Sequence, residues 1–96
     1  MVLYAVLKRN MSTAGCWTEH PHTATKRAVN HKASNLRDCQ AACLNKKLCT
    51  GVDFFPRRSQ SAVRCKLTGT WSGETVNRPT IRSTHYALNR DCQGEM

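Results

Sequence analysis

The middle of the chain changes from a helical to an extended pattern of apolar residues. Four apolar side chains recur at the spacing that places them on one face of a helix: Leu36, Cys39, Ala42 and Cys43. We therefore predict a helix over residues 35 to about 46, with Ser34 as its N-cap. The run Val52-Asp53-Phe54-Phe55 then indicates a buried strand over residues 50–55, which Pro56 ends. A helix that leads directly into a strand, with cysteines on its inner face, is suited to being bridged to a sheet.

A clean alternation over residues 63–67 predicts the second strand of a hairpin with residues 50–55. The inward-facing positions are Val63, Cys65 and Leu67. Arg64 and Lys66 are expected to face solvent. Because only a short polar connection joins the two strands, we expect them to be antiparallel.

Two more strands are predicted, one towards each end of the chain. Residues 16–19 form the first, and a turn follows it at His20-Pro21-His22 because proline favours turns. Residues 84–88 form the last, with Tyr86 and Leu88 on one face. We expect Trp17 to be partly buried beside the first cysteine.

The remaining segments are predicted to be loops and ends. Residues 23–33 are polar and aperiodic, which indicates an exposed loop, and residues 69–83 indicate a long loop with room for a short strand near Trp71. The start of the chain lacks the basic residues that open a secretory signal. The predicted division is a lead-in strand or extension over residues 1–15, one module over residues 16–92, and a short tail over residues 93–96.

The cysteine content indicates that cross-links, more than the packing of large side chains, stabilise the fold. The 96 residues include six cysteines but only two each of Phe, Tyr and Trp, so the core is thin. An even number of cysteines in a small chain favours a disulfide framework, and hence secretion or the extracellular face of a membrane protein, over six thiols in the cytosol. No apolar run is long enough to cross a membrane, so we expect no membrane insertion.

Geometry narrows the possible cysteine pairings. Cys39 and Cys43 lie one helical turn apart, so a bridge between them would constrain almost nothing. Cys43 can close the reversal with Cys49, while Cys39 can reach the inward-facing Cys65. The two outer cysteines remain to join the ends of the module. The predicted set is nested: Cys16–Cys92, Cys39–Cys65 and Cys43–Cys49.

This arrangement resembles the PAN/apple module. The matching positions are Cys16, Cys39-Gln-Ala-Ala-Cys43, Cys49-Thr-Gly-Val-Asp-Phe-Phe55, Cys65-Lys-Leu67 and the segment from Tyr86 to Cys92. The resemblance covers about residues 16–92, and the chain departs from it in its lead-in and in the long basic loop 20–33. It implies the same nested bridges and an α+β fold, an antiparallel sheet of about five strands with one helix packed across it. It also implies a module that binds proteins or carbohydrates and has no catalytic chemistry of its own.

The charge suggests which partner to expect. Fifteen Lys and Arg oppose six Asp and Glu, a formal charge of +9, and such a surface attracts polyanions. The candidate ligand-binding residues are Arg57, Arg58, Arg64 and Lys66 on the hairpin, and Trp71 as an aromatic platform. The helix puts Lys46 and Lys47 either at the margin of this surface or on the other side. Asn10 begins a glycosylation triplet. The alternative for the cations is a solvated surface that keeps the chain soluble. Nucleic acid is not expected, because bridged modules lie outside cells, where sulfated glycans are the commoner polyanion.

No catalytic or cofactor-binding set is expected. A zinc site could be drawn from Cys39, Cys43 and Cys49 with His20 or His22, but it lacks the second ligand pair of a closed tetrahedral site. Pairing Cys49 with His85 as a nucleophile and base is unconvincing, since catalytic cysteines do not occur at framework spacing. We predict no metal, no cofactor and no enzyme.

The sequence therefore predicts an extracellular binding or adhesion module that recognises a carbohydrate, with a heparin-like sulfated glycan favoured, or an extracellular protein. Two alternatives stay open. One is a stand-alone secreted cationic effector, toxin-like or antimicrobial, although the chain lacks a strongly amphipathic basic helix. The other is a non-binding spacer of a larger mosaic protein. The oligomeric state is left open by the sequence.

Overall fold

The computed structural model describes residues 16–56 and 64–91, which form eight short elements. In chain order they are β1 (Trp17–His20), β2 (Thr23–Thr25), β3 (Val29–His31), α1 (Leu36–Leu44), β4 (Cys49–Phe54), β5 (Cys65–Gly69), β6 (Thr75–Asn77) and β7 (Thr84–Leu88). The predictions for the lead-in, for Val63 and for the C-terminal tail fall outside the described residues.

Two sheets and one helix make up three layers. Five strands form an antiparallel sheet in the order β1-β7-β4-β5-β3, and β2 and β6 pair as a separate antiparallel ribbon. The helix lies across one face of the sheet on β4 and β5, whereas β2 lies against β7 and β4. The predicted α+β fold, a five-stranded antiparallel sheet with one helix, is confirmed for the described residues. The ribbon is an addition that the sequence did not indicate.

The helix is capped by a different residue from the one predicted. Asn35, not Ser34, is the N-cap: its backbone is extended (φ −138°, ψ 165°) and its Oδ1 accepts a hydrogen bond from the N–H of Asp38 at 2.8 Å. Asparagine and serine are equally good N-caps, so composition could not separate two neighbours. The helix also ends before its predicted end, at Leu44, with Asn45 as the C-cap.

The core beneath the helix is built largely from cysteine. The buried apolar cluster of the described residues consists of Cys39, Cys43, Cys49, Val52, Cys65 and Leu67. Two predicted bridges are confirmed, because Cys39–Cys65 joins α1 to β5 and Cys43–Cys49 closes the reversal between α1 and β4. The third predicted bridge involves Cys92, which lies outside the described residues.

Four predicted strands are present, with ends that shift by a few residues. The last strand has the predicted bounds, and β1 and β4 each differ from prediction by one residue at either end. In the hairpin, β5 continues beyond the predicted segment to Gly69, and its antiparallel pairing with β4 is confirmed. Tyr86 and Leu88 both pack against the core, as predicted, and so does the half-buried Trp17.

Two segments predicted as loops contain strands. Within residues 23–33, β2 pairs with β6 and β3 extends the main sheet at its edge beside β5. Within residues 69–83 the strand is β6, and Trp71 lies in a turn instead of a strand. These strands are three residues long and mostly polar, so no alternation could mark them. Pairing with other strands stabilises them, not their own hydrophobicity.

The two confirmed bridges should differ in their effect on stability. Replacing both members of Cys39–Cys65 with alanine should lower the free energy of unfolding by about 3–4 kcal/mol, and replacing both members of Cys43–Cys49 by about 2–3 kcal/mol. The physical reason is loop length, since the bridges span sequence separations of 26 and 6 residues. Urea unfolding of the two double variants measures both values, and an equal or reversed order would contradict the prediction.

Candidate functional site

A buried carboxylate lies at the centre of the sheet, on the face opposite the helix. Asp53, in β4, is only 1 % exposed. It accepts hydrogen bonds from the backbone N–H of Thr25 at 2.6 Å, from the hydroxyl of Thr25 at 3.0 Å and from Nδ1 of His85 at 2.7 Å. Burying a charge without such partners is costly, and here three donors from two other strands supply them. Asp53 thus holds the ribbon against the main sheet.

The same bonds fix the orientation of His85. A carboxylate only accepts, so Nδ1 carries a proton and the ring cannot rotate without losing that bond. A side chain at Gly51 would collide with this arrangement, because its Cβ would lie 2.9 Å from Cε1 of His85 and 2.7 Å from the carbonyl oxygen of Tyr86. Nε2 of His85 makes no hydrogen bond within the described residues and is not shut off from solvent.

His85 forms part of an open cleft of about 580 Å³ between β1, β7 and the ribbon. Its lining residues are Glu19, His20, Pro21, His22, Thr23, Thr75, Asn77, His85 and Ala87. The rings of His20 and His85 stack with their centroids 6.0 Å apart. Three of the four histidines therefore meet at one place, which their positions in a predicted turn and a predicted strand did not indicate.

One amide holds the wall of this cleft in shape. Nδ2 of Asn77 lies 3.1 Å from the carbonyl oxygen of Pro21, 3.0 Å from that of His22 and 3.1 Å from the hydroxyl of Thr23. The predicted turn after β1 is thereby tied to β6. On the other side, Nδ1 of His22 donates to the carbonyl oxygen of Ile81 at 3.0 Å.

A second surface surrounds Trp71. Its indole lies directly over Gly69, where an added Cβ would be 2.2 Å from Cζ3 of Trp71 and 2.5 Å from the carbonyl oxygen of Leu48. Trp71 is 36 % exposed and Leu48 is 59 % exposed. The two residues lie on neighbouring segments, since the N–H of Thr70 donates to the carbonyl oxygen of Leu48 at 3.3 Å. The tight turn that carries Trp71 is closed by the bond from Ser72 N–H to Gly69 O at 2.9 Å.

A groove of about 340 Å³ runs beside Leu48, with Lys47, Arg90 and Asp91 in its lining. Nη2 of Arg90 donates to the carbonyl oxygens of Cys43, Lys46 and Cys49, at 3.2, 2.7 and 3.2 Å. Arg90 therefore satisfies carbonyl groups around the end of the helix. Lys46 and Lys47 are exposed.

The structure describes three of the predicted ligand-binding residues: Arg64, Lys66 and Trp71. Arg57, Arg58 and the glycosylation candidate Asn10 lie outside the described residues. The guanidinium of Arg64 lies over the ring of Phe54 and donates to the carbonyl oxygens of Ser34 and Phe55, whereas the ammonium of Lys66 lies over Phe55. Arg64 and Lys66 are thus held by different aromatic rings.

The positive charge has few internal partners. Within residues 16–56 and 64–91, the one ion pair between a Lys or Arg and a carboxylate is Lys26–Glu74, at 3.3 Å. Two other carboxylates have structural roles. Asp53 joins the sheets, and Asp38 lies in the first turn of the helix. Arg64, Lys66 and Arg90 are engaged as described above, and exposed cations such as Lys46 and Lys47 are left available to solvent or to a ligand.

The cysteines considered for zinc or catalysis are bridged. Cys39, Cys43 and Cys49 are in disulfides, so none supplies a thiolate ligand or a nucleophile in this state. Among the described residues, no three His, Cys, Asp or Glu side chains are close enough to share a metal ion. No helix in this part of the chain is long and apolar enough to cross a bilayer.

Comparisons with protein-family models, with curated proteins and with solved structures find no match to this chain. The resemblance to the PAN/apple family therefore stays a prediction from the residues.

The contact between Asp53 and His85 was not predicted from the sequence. One signal was present: an aspartate between Val52 and Phe54 in a strand predicted to be buried needs a polar partner. That partner is 32 residues away on β7, and only the strand order brings the two together.

Replacing Asp53 with alanine should lower the free energy of unfolding by about 3 kcal/mol, because His85 and the Thr25 N–H lose their buried acceptor. A suitable control is Asp91→Ala, which removes an exposed carboxylate with the same change of charge. Urea unfolding compares the two variants. Equal losses would show that the contacts of Asp53 contribute nothing beyond its charge.

Tyr86 provides a pH-dependent contribution to stability. Burial raises the pKa of its phenol, the carboxylate of Glu19 on the neighbouring strand raises it further, and a hydrogen bond with the Thr84 side chain lowers it. The folded protein therefore holds this proton at a pH where the unfolded chain has lost it.

The stability that depends on Tyr86 should be complete below about pH 9 and should decline as the pH rises through the raised folded pKa. Tyr86→Phe lacks this decline. Urea unfolding of both proteins at about pH 8 and about pH 11 tests the sign. A stability difference between them that is the same at both pH values would contradict it.

Proposed function

We propose that this chain is an extracellular binding module that recognises a sulfated glycan. The observation that carries the proposal is the exposed indole of Trp71, seated on Gly69 beside a groove lined by Lys47 and Arg90. The disulfides support an oxidising compartment, where such glycans occur.

The fixed position of Trp71 favours stacking on a sugar ring. Its contact with Gly69 sets the orientation of the indole in the absence of ligand, so little conformational entropy is lost on binding. A large aromatic ring presents an apolar surface that suits the C–H face of a pyranose. Leu48 extends this surface towards the groove.

The cations beside Trp71 favour a sulfated sugar over a neutral one. Lys47 is exposed and Lys46 precedes it, and neither forms an ion pair with a described carboxylate. Ammonium groups attract sulfate as point charges. Nη2 of Arg90 is engaged by carbonyl oxygens, so the charge of the guanidinium and the N–H groups on Nε and Nη1 are what Arg90 offers a ligand.

Heparin chromatography with a salt gradient tests this function. The double variant Lys46→Gln/Lys47→Gln should elute at clearly lower salt than the native protein, and the slope of log affinity against log salt should fall by roughly one to two. Trp71→Ala should weaken binding by about tenfold. The matched control is Lys32→Gln/Arg37→Gln, which removes the same charge at the other end of the helix and should change elution much less.

Two outcomes would overturn the proposal. Elution of the native protein below about 0.15 M salt would mean that the cations only keep the chain soluble. An equal shift in both double variants would mean that net charge, and not the surface around Trp71, determines retention.

A further inference from the structure

We propose that the cleft between the main sheet and the β2–β6 ribbon binds an uncharged sugar unit through its hydroxyl groups. This site is separate from the surface around Trp71, and its ligand chemistry is different. The inference therefore does not depend on the sulfated-glycan proposal.

His85 and His22, which both line the cleft, use Nδ1 for bonds within the fold and keep Nε2 for a ligand. Nδ1 of His85 donates to Asp53, and Nδ1 of His22 donates to the carbonyl oxygen of Ile81. In each neutral ring Nε2 is then a hydrogen-bond acceptor. His85 is 9 % exposed and lines the cleft, so this acceptor belongs to a largely buried and oriented side chain.

The remaining polar groups are also mostly acceptors. Because Nδ2 of Asn77 already contacts three oxygen atoms of the neighbouring turn, its Oδ1 is the part left for a ligand. The hydroxyl of Thr75 in the same lining can donate or accept. Three acceptors and a hydroxyl suit a ligand with several donors, and they disfavour a sulfate or carboxylate, which only accepts.

A metal cation is the alternative ligand for a set of hydrogen-bond acceptors, but the distances between these side chains do not suit one. No three His, Cys, Asp or Glu among the described residues are close enough to bind one metal ion. The acceptors are instead spread around a cleft of about 580 Å³, which is within the usual size range of small-molecule sites. A ligand with hydroxyl groups around a ring matches this distribution.

The apolar parts of the lining fit the same ligand. The stacked rings of His20 and His85, together with Pro21 and the methyl group of Ala87, offer surfaces for the C–H groups of a pyranose. The cleft is also held in place before binding, since Asn77 ties the turn and Asp53 fixes His85. A site organised in this way loses little entropy when a ligand binds.

Saturation-transfer NMR with a panel of methyl pyranosides tests the inference, at about pH 8, where free imidazole is neutral. At least one uncharged glycoside should receive saturation and should shift the ring proton resonances of His22 and His85. His22→Ala should weaken this binding by about three- to tenfold, as expected for the loss of one hydrogen bond. The matched control His31→Ala removes a histidine of β3, outside the cleft, and should bind as the native protein does.

A second variant removes an exposed ring that stacks on His85 in the cleft. His20→Ala should also weaken the glycoside, while retention of both cleft variants on heparin should stay near that of the native protein. The inference is overturned if no pyranoside in the panel binds, or if His22→Ala and His20→Ala bind as well as His31→Ala. It is likewise overturned if Zn²⁺ or a heparin disaccharide, and no pyranoside, shifts the resonances of His22 and His85.

Discussion

The structure depends on the two disulfides that tie the helix to β4 and β5. With so few large side chains, the core under the helix consists of four half-cystines with Val52 and Leu67. The disulfide sulfur atoms fill volume that aromatic side chains fill in larger cores, and the cross-links add stability that a small core lacks. Because the hydrophobic core lies on the helix side, the other face of the sheet can carry polar groups.

Asp53 has the corresponding role on that second face. The strand β4 is covered on both sides, so a carboxylate in its middle cannot reach water and must be satisfied by protein. Its bonds to Thr25 hold the ribbon, and its bond to His85 orients a ring at the cleft. One buried charge thus stabilises the second layer and prepares a site, because the donors that compensate it come from the strands that border the cleft.

The sequence predicted the elements whose side chains have a regular pattern. The helix, β4, β5 and β7 have apolar periodicity or cysteines at informative spacing, and the reach of Cys39 and Cys43 predicted their partners. The ribbon could not be predicted, because β2 and β6 are short polar strands held by pairing and by Asp53. The cleft could not be predicted for the same reason. Its histidines come from a turn and two strands, and their meeting is a consequence of strand order, which local patterns do not record.

The division of charges explains how a chain this small can offer two different surfaces. The carboxylates Asp53, Asp38 and Glu74 have partners within the molecule, and Asp91 is the carboxylate that lines the groove with Lys47 and Arg90. The polar groups of the cleft, in contrast, are acceptors whose donors are already committed to the fold. Electrostatic attraction at the first surface acts at a distance and weakens with salt, whereas hydrogen bonding at the second requires contact and is nearly independent of salt. On the two proposals, a glycan that carries both sulfated and uncharged residues would meet complementary chemistry at both surfaces, and salt would separate the two contributions.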